Sequence, residues 1–113
     1  VLLLAASGSA APAQTTLSIT GSSTMAPLVA DIGKRFEELH PGIRVDVQAG
    51  GSSRGTRDVR SGMAGIGMIS RAPAEDEADL GAFLVAIDGI GIIVHTDNPV
   101  AELTDAQIVA LFT

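Results

Sequence analysis

Apolar and polar residues alternate at the start of the folded part of the chain and then change period. Leu17, Ser18, Ile19 and Thr20 alternate, with the two-residue period of a short strand packed on one face. Gly21, Ser22, Ser23 and Thr24 interrupt it. Beyond the break, Met25, Leu28, Val29, Ile32, Phe36 and Leu39 recur at the spacing that lines one side of a helix. Pro27 falls in its first turn, where a missing N–H costs no hydrogen bond. His40, Pro41 and Gly42 end it, since proline cannot continue a helix and glycine suits the turn. Ile43, Val45 and Val47 then alternate with Arg44, Asp46 and Gln48, which predicts a second strand. Residues 49–55 form a second Gly/Ser break, with a short helix predicted from about 56 to 61. Ile66, Gly67, Met68 and Ile69 form a third, mostly apolar strand, broken by Ser70, Arg71, Ala72 and Pro73. Residues 74–80 read as an acidic helix whose carboxylates lie near its favourable N-terminal end. Two apolar runs, 83–87 and 90–94, are split by Asp88 and Gly89. Thr104 before Asp105 has the form of a helix cap, with Ile108, Leu111 and Phe112 on the apolar side.

Strand, helix, strand, helix, strand, helix is the order of an α/β layer with a mainly parallel sheet. Such sheets bind ligands at the carboxyl ends of their strands. Here those ends carry residues 21–24, residues 50–55, and Ser70 with Arg71.

Composition narrows the ligand. The 113 residues suffice for one small domain, and 46% apolar with 18% charged residues is a globular balance. Phe36, Phe83 and Phe112 are the only aromatic residues besides histidine, which argues against a site that stacks sugars or bases on aromatic faces. A net charge of −6 argues against nucleic acid or an anionic membrane as the main partner. A small anion remains compatible, because helix starts bind anions through backbone N–H groups. The sequence contains no cysteine, which removes disulfide-linked partners, thiolate chemistry, Cys-ligated metal and a lipid-bearing cysteine at an export cleavage site. No spacing of metal ligands is present, and the pattern calls for no cofactor.

The first residues read as targeting. Val1, Leu2, Leu3, Leu4, Ala5 and Ala6 resemble the tail of a signal core, and Ala11, Pro12 and Ala13 fit a small-x-small cleavage site before Gln14. Residues 1–13 are therefore expected to be the remnant of a secretory signal, and residues 14–113 the exported domain. The apolar run is far shorter than the ~20 residues that span a membrane.

The chemistry lies in the breaks. A helix start leaves up to four amides unpaired and carries about half a positive charge. Serine and threonine hydroxyls add donors, and glycine lets the backbone approach closely. Such loops, converging, suit a dehydrated tetrahedral oxyanion, with Arg71, Arg54 or Arg57 as a charge-assisted contact. The same residues also serve as plain helix caps. Residues 50–55 lack the Gly-Lys-Ser/Thr ending of a nucleotide P-loop, and the glycines of 62–67 lead into a strand, which disfavours a dinucleotide site. A serine hydrolase would need a base beside its nucleophile, and the only histidines are His40, in a turn, and His95, at the end of an apolar run.

In sequence, Gly21-Ser22-Ser23-Thr24-Met25-Ala26-Pro27-Leu28 resembles the first binding loop of phosphate ABC transporter substrate-binding proteins of the PstS type. Gly50-Gly51-Ser52-Ser53-Arg54-Gly55-Thr56 is similar to their second loop, and Ile66-Gly67-Met68-Ile69-Ser70-Arg71 to their third. Residues 86–95 are similar to the family's strand toward the hinge, and Asn98, Pro99, Val100, Leu103, Thr104 and residues 108–113 to the segment after it. The resemblance implies a two-lobed, type II periplasmic-binding fold that closes over inorganic phosphate and delivers it to the membrane permease of an ABC transporter, outside the cytoplasmic membrane. It implies phosphate contacts from Ser22, Ser23, Thr24, Ser52, Ser53, Ser70 and Arg71, and no enzymatic activity. Some family members place an aspartate after the third-loop serine, to accept the proton of hydrogen phosphate; this chain has Arg71 there, like the shorter branch. The chain is expected to end inside the first lobe, without the second lobe's opposing loop. The other functions weighed are binding of sulfate or molybdate, a sensor or adhesin on the same fold, and a hydrolase.

Overall fold

The computed structural model describes residues 14–112, so the expected signal remnant at 1–13 lies outside the described residues. The chain divides into two units, the second beginning at Phe83. The first holds strand β1 (Thr15–Gly21), helix α1 (Ala26–Leu39), strand β2 (Ile43–Ala49), helix α2 (Ser52–Arg60) and strand β3 (Ile66–Met68). The strands form one parallel sheet in the order β2-β1-β3. The sequence class, α/β with a parallel sheet, is the class observed.

Register explains the two faces. Leu17 pairs with Val45, and Ile19 with Val47 and Ile66, so one face is a band of branched apolar side chains. α1 covers that face, close enough that a Cβ on Gly33 would press on Val45. The opposite face carries Ser18, Thr20, Asp46, Gln48 and Gly67, and α2 lies on it. α2 approaches through glycine rather than through large side chains: a Cβ on Gly55 would stand 2.8 Å from the Met68 carbonyl oxygen. β1 and β2 thus send their following helices to opposite faces, which makes the carboxyl ends of these neighbours a topological switch point. Among the described residues the buried apolar core is small, consisting of Ile19, Ala64 and Met68.

Within the first unit, two elements differ from their sequence expectation. α2 begins at Ser52 rather than near Thr56, because Gly51, at φ 86°, turns the chain into the helix directly after the glycine pair. Residues 74–80 form only a 3-10 turn, Glu75–Glu77, instead of an acidic helix. Glu77 is drawn back onto Arg71 and the Ala74 amide, and Asp79 onto Arg60, so ion pairs with neighbouring segments fix this stretch.

In the second unit, Thr104 does cap α3 (Asp105–Phe112): its Oγ1 accepts from the Gln107 amide, and Gln107 Oε1 accepts from the Thr104 amide. Residues 83–95 have no regular structure, and Phe83, Ile87, Ile90 and Ile93 are exposed. A strand there needs a neighbour for its backbone groups, and no described residue of this unit forms one. Among the described residues, no helix is long and apolar enough to cross a membrane.

Candidate anion-binding site

The three Gly/Ser breaks meet at the carboxyl ends of the strands and are tied by backbone bonds. The Gly21 carbonyl accepts from the Gly50 and Gly51 amides at 2.7 and 2.9 Å, joining the first loop to the second. The Ser22 amide donates to the Met68 carbonyl at 2.9 Å, joining the first loop to the third. Gly21 makes this possible: its φ is +135°, and a Cβ there would collide with the Met68 carbonyl. The second and third loops join through Ser52, whose Oγ accepts from the Ser70 amide at 3.1 Å and lies 3.4 Å from Ser70 Oγ.

The serines divide by their environment. Ser22 is buried, its amide committed to Met68 and its Oγ accepting from the Met25 amide at 3.4 Å, so it acts first as a local cap. Ser23 and Thr24 are exposed ahead of α1, and Ser52 and Ser53 open α2. Among the described residues, the amides of Ser23, Thr24, Ser52 and Ser53 donate no hydrogen bond. The arrangement can therefore offer converging amides and hydroxyls to an acceptor, which is the chemistry an oxyanion needs.

The arginines beside the loops are held by carboxylates. Arg54 donates to Asp58 at 3.0 Å, to Gln48 at 2.8 Å and to the Ala49 carbonyl at 3.4 Å, closing the second loop onto the end of β2. Arg57 reaches the same carboxylate at 3.4 Å. Burial pushes the Asp58 carboxyl up, but the Thr20 hydroxyl and the two guanidinium groups outweigh it and hold the group below its usual range. Among the described residues, the buried Thr20 Oγ1 has no hydrogen-bond partner other than Asp58, whose anion it favours. Arg71, expected beside an anion, donates from both terminal nitrogens to Glu77 at 2.7 Å each. Sequence reasoning missed Asp58 and Glu77 as partners. The i,i+4 spacing of Arg54 and Asp58 was an available signal, whereas the Arg71–Glu77 pair depends on the turn between them.

His40 is not placed as a base in the first unit's loops. It ends α1, its ring tilted against that of Phe36 at 4.2 Å between centroids, at the end of the helix away from Ser23 and Thr24. His95 lies in the second unit, with its Nδ1 accepting from the Asp97 amide at 3.2 Å. Among the described residues, no cluster of His, Cys, Asp and Glu could hold a metal ion.

The carboxylates make the loops acid-sensitive. Arg71's hydrogen bonds, helped by the Ala74 amide, hold Glu77 at about 2 rather than its ordinary 4.5. Arg60's hydrogen bonds likewise lower Asp79. A carboxyl depressed by folding stabilises fully above its unfolded value and loses that contribution as pH falls through the folded value. Thermal stability should therefore decline from about pH 4.5 toward pH 2. In Glu77→Gln the melting temperature should start lower at neutral pH and fall less steeply through this window; circular dichroism melts across pH check both, and identical slopes would refute the assignment to Glu77.

Comparison with known proteins agrees with this architecture. Residues 6–113 match the family model described as PBP superfamily domain. The chain is 30% identical over 98 residues to phosphate-binding protein PstS 2 of Streptococcus pneumoniae, covering 86% of this chain and 34% of that protein. It is 33% identical over 106 residues to phosphate-binding protein PstS of Pseudomonas aeruginosa, covering 86% of this chain and 33% of that protein. It thus spans about a third of the length of these relatives. The crystal structure of a phosphate-binding protein of a phosphate ABC transporter from Streptococcus pneumoniae superposes with a TM-score of 0.56 at 29% identity, over 58% of this chain and 26% of that one. With its parallel sheet, its strand-end loops and a family match that runs to its last residue, the chain belongs to the PBP superfamily, and its likeness is to PstS-type phosphate-binding proteins.

Proposed function

We propose that this chain forms one wall of the binding site of an extracytoplasmic solute-binding protein, which captures inorganic phosphate and passes it to the permease of an ABC transporter. The observation that carries the reading is the stitching of three strand-end loops at one edge of the sheet, with the amides of Ser23, Thr24, Ser52 and Ser53 left free as donors. The proposed ligands are Ser23, Thr24, Ser52, Ser53 and Ser70 through amides or hydroxyls, and Ser22 through its hydroxyl. Arg71 flanks them with its charge largely balanced by Glu77. The names of the relatives favour phosphate over sulfate or molybdate. Binding alone, with no bond made or broken, is the activity this donor set serves.

The donors named above all belong to the first unit, and contacts left open to water are weaker than dry ones because the local dielectric is higher. The 113-residue chain is therefore expected to bind phosphate no more tightly than about millimolar. The test is a phosphate titration of the 15N-labelled chain followed by amide shifts, with sulfate and molybdate alongside. Saturable shifts at Ser23, Thr24, Ser52, Ser53 and Ser70 support the proposal. Shifts confined elsewhere overturn the site, stronger binding of sulfate or molybdate overturns the choice of anion, and micromolar affinity overturns the one-sided argument.

A further inference from the structure

We infer that Glu77 is a positioning residue for anion binding: without touching the anion, it holds Arg71 and the third loop so that Ser70 stays against Ser52. This rests on the binding reading above. The Glu77 carboxylate is buried at the end of a 3-10 turn, a position where an acidic side chain is rarely left. It gathers three donors, two from Arg71 at 2.7 Å each and the Ala74 amide at 2.8 Å. Arg71 also donates to the Ala72 carbonyl at 3.0 Å, so the guanidinium braces the segment directly after Ser70. A second brace lies just beyond: Arg60, the last residue of α2, donates to the Asp79 carboxylate and to the Asp76 carbonyl. The third loop is thus clamped to α2 at both ends, by Ser70 on Ser52 in the helix's first turn and by Asp76 and Asp79 on Arg60 in its last.

The sign of one substitution separates positioning from direct contact. If Arg71 were itself an anion ligand, Glu77 would compete with the anion for the guanidinium and its negative charge would repel the ligand. Glu77→Gln would then tighten phosphate binding. If Glu77 positions the loop, the same substitution removes the clamp and weakens binding, although it makes the site more positive. A misplaced donor loses binding even when it is still present.

The experiment is the amide-shift titration of the full chain with inorganic phosphate, comparing wild type, Glu77→Gln, Glu77→Asp and the double variant Arg71→Gln/Glu77→Gln. Glu77→Gln is expected to bind several-fold more weakly, with faster hydrogen exchange at the Ser70 amide and unchanged exchange in β1. Glu77→Asp keeps the charge and should recover part of the loss. The double variant should resemble Glu77→Gln alone, since both residues act through one clamp. Equal or tighter binding by Glu77→Gln overturns the inference, as does a double variant markedly weaker than Glu77→Gln. Absence of phosphate-dependent shifts in the wild-type chain would instead refute the proposed function.

Discussion

Ser52→Ala should weaken phosphate binding by about ten- to a hundredfold, while Ser61→Ala leaves it unchanged. The Ser52 hydroxyl has two tasks. It is a donor at the first turn of α2, and its oxygen accepts from the Ser70 amide at 3.1 Å. Alanine removes a proposed ligand group and the bond that ties the third loop to the second. A hydrogen bond to a charged group nets roughly 1.5–3 kcal/mol, and each ~1.4 kcal/mol is a tenfold step, so one bond and part of a second give the stated range. Ser23→Ala should cost less, because the Ser23 amide remains and nothing else is tied to its side chain. Ser61 caps the other end of α2, its hydroxyl donating to the Asp58 carbonyl at 3.1 Å. It lies about 13 Å along the helix from Ser52, at ~1.5 Å per residue. Phosphate titrations of the three variants check the ordering, and a Ser52→Ala protein that binds as tightly as wild type would sink the site assignment.

The sequence made the first half of the fold readable because β1, α1 and β2 each press one apolar face on a neighbour. Leu17 and Ile19 meet Val45 and Val47 across the sheet, and in β2 the two-residue period survives as burial, Ile43, Val45 and Val47 being less exposed than Arg44, Asp46 and Gln48. α2 starts earlier than the residue pattern predicts, since its inner face is Gly55 and Asp58, which leave no apolar stripe. The acidic run 74–80 announced helix propensity and charge, but partners distant in sequence settled its shape, with Arg60 nineteen residues from Asp79. The site was legible as loops, because Gly and Ser stand where the periodicity breaks. It was not legible as side-chain allegiances. Nothing in the order of residues said that Ser22 turns inward to the Met25 amide, or that Arg71 gives both its terminal nitrogens to Glu77.

Gly55→Ala should destabilise the first unit by about 1–3 kcal/mol, the usual cost of overpacking, against the ordinary preference of helices for alanine. Propensity alone favours alanine over glycine by ~1 kcal/mol inside a helix. The contacts oppose it. A Cβ at Gly55 would stand 2.8 Å from the Met68 carbonyl oxygen and 3.0 Å from that of Thr20, both fixed backbone atoms of β3 and β1. A flexible side chain could move aside, whereas these carbonyls belong to the sheet, so the helix itself must lift. The lift would also part Ser52 from Ser70, and phosphate affinity should fall together with stability. The effect is large for this chain because few apolar residues are buried to absorb it and small domains have only a few kcal/mol to lose. Gly89→Ala is the control: its Cβ would meet nothing within 4 Å, and its stability should match wild type. Urea unfolding by circular dichroism should show a lower midpoint for Gly55→Ala and an unchanged one for Gly89→Ala. A Gly55→Ala protein as stable as wild type would mean that α2 does not lie directly on the sheet, and would remove the physical basis for the second loop's position.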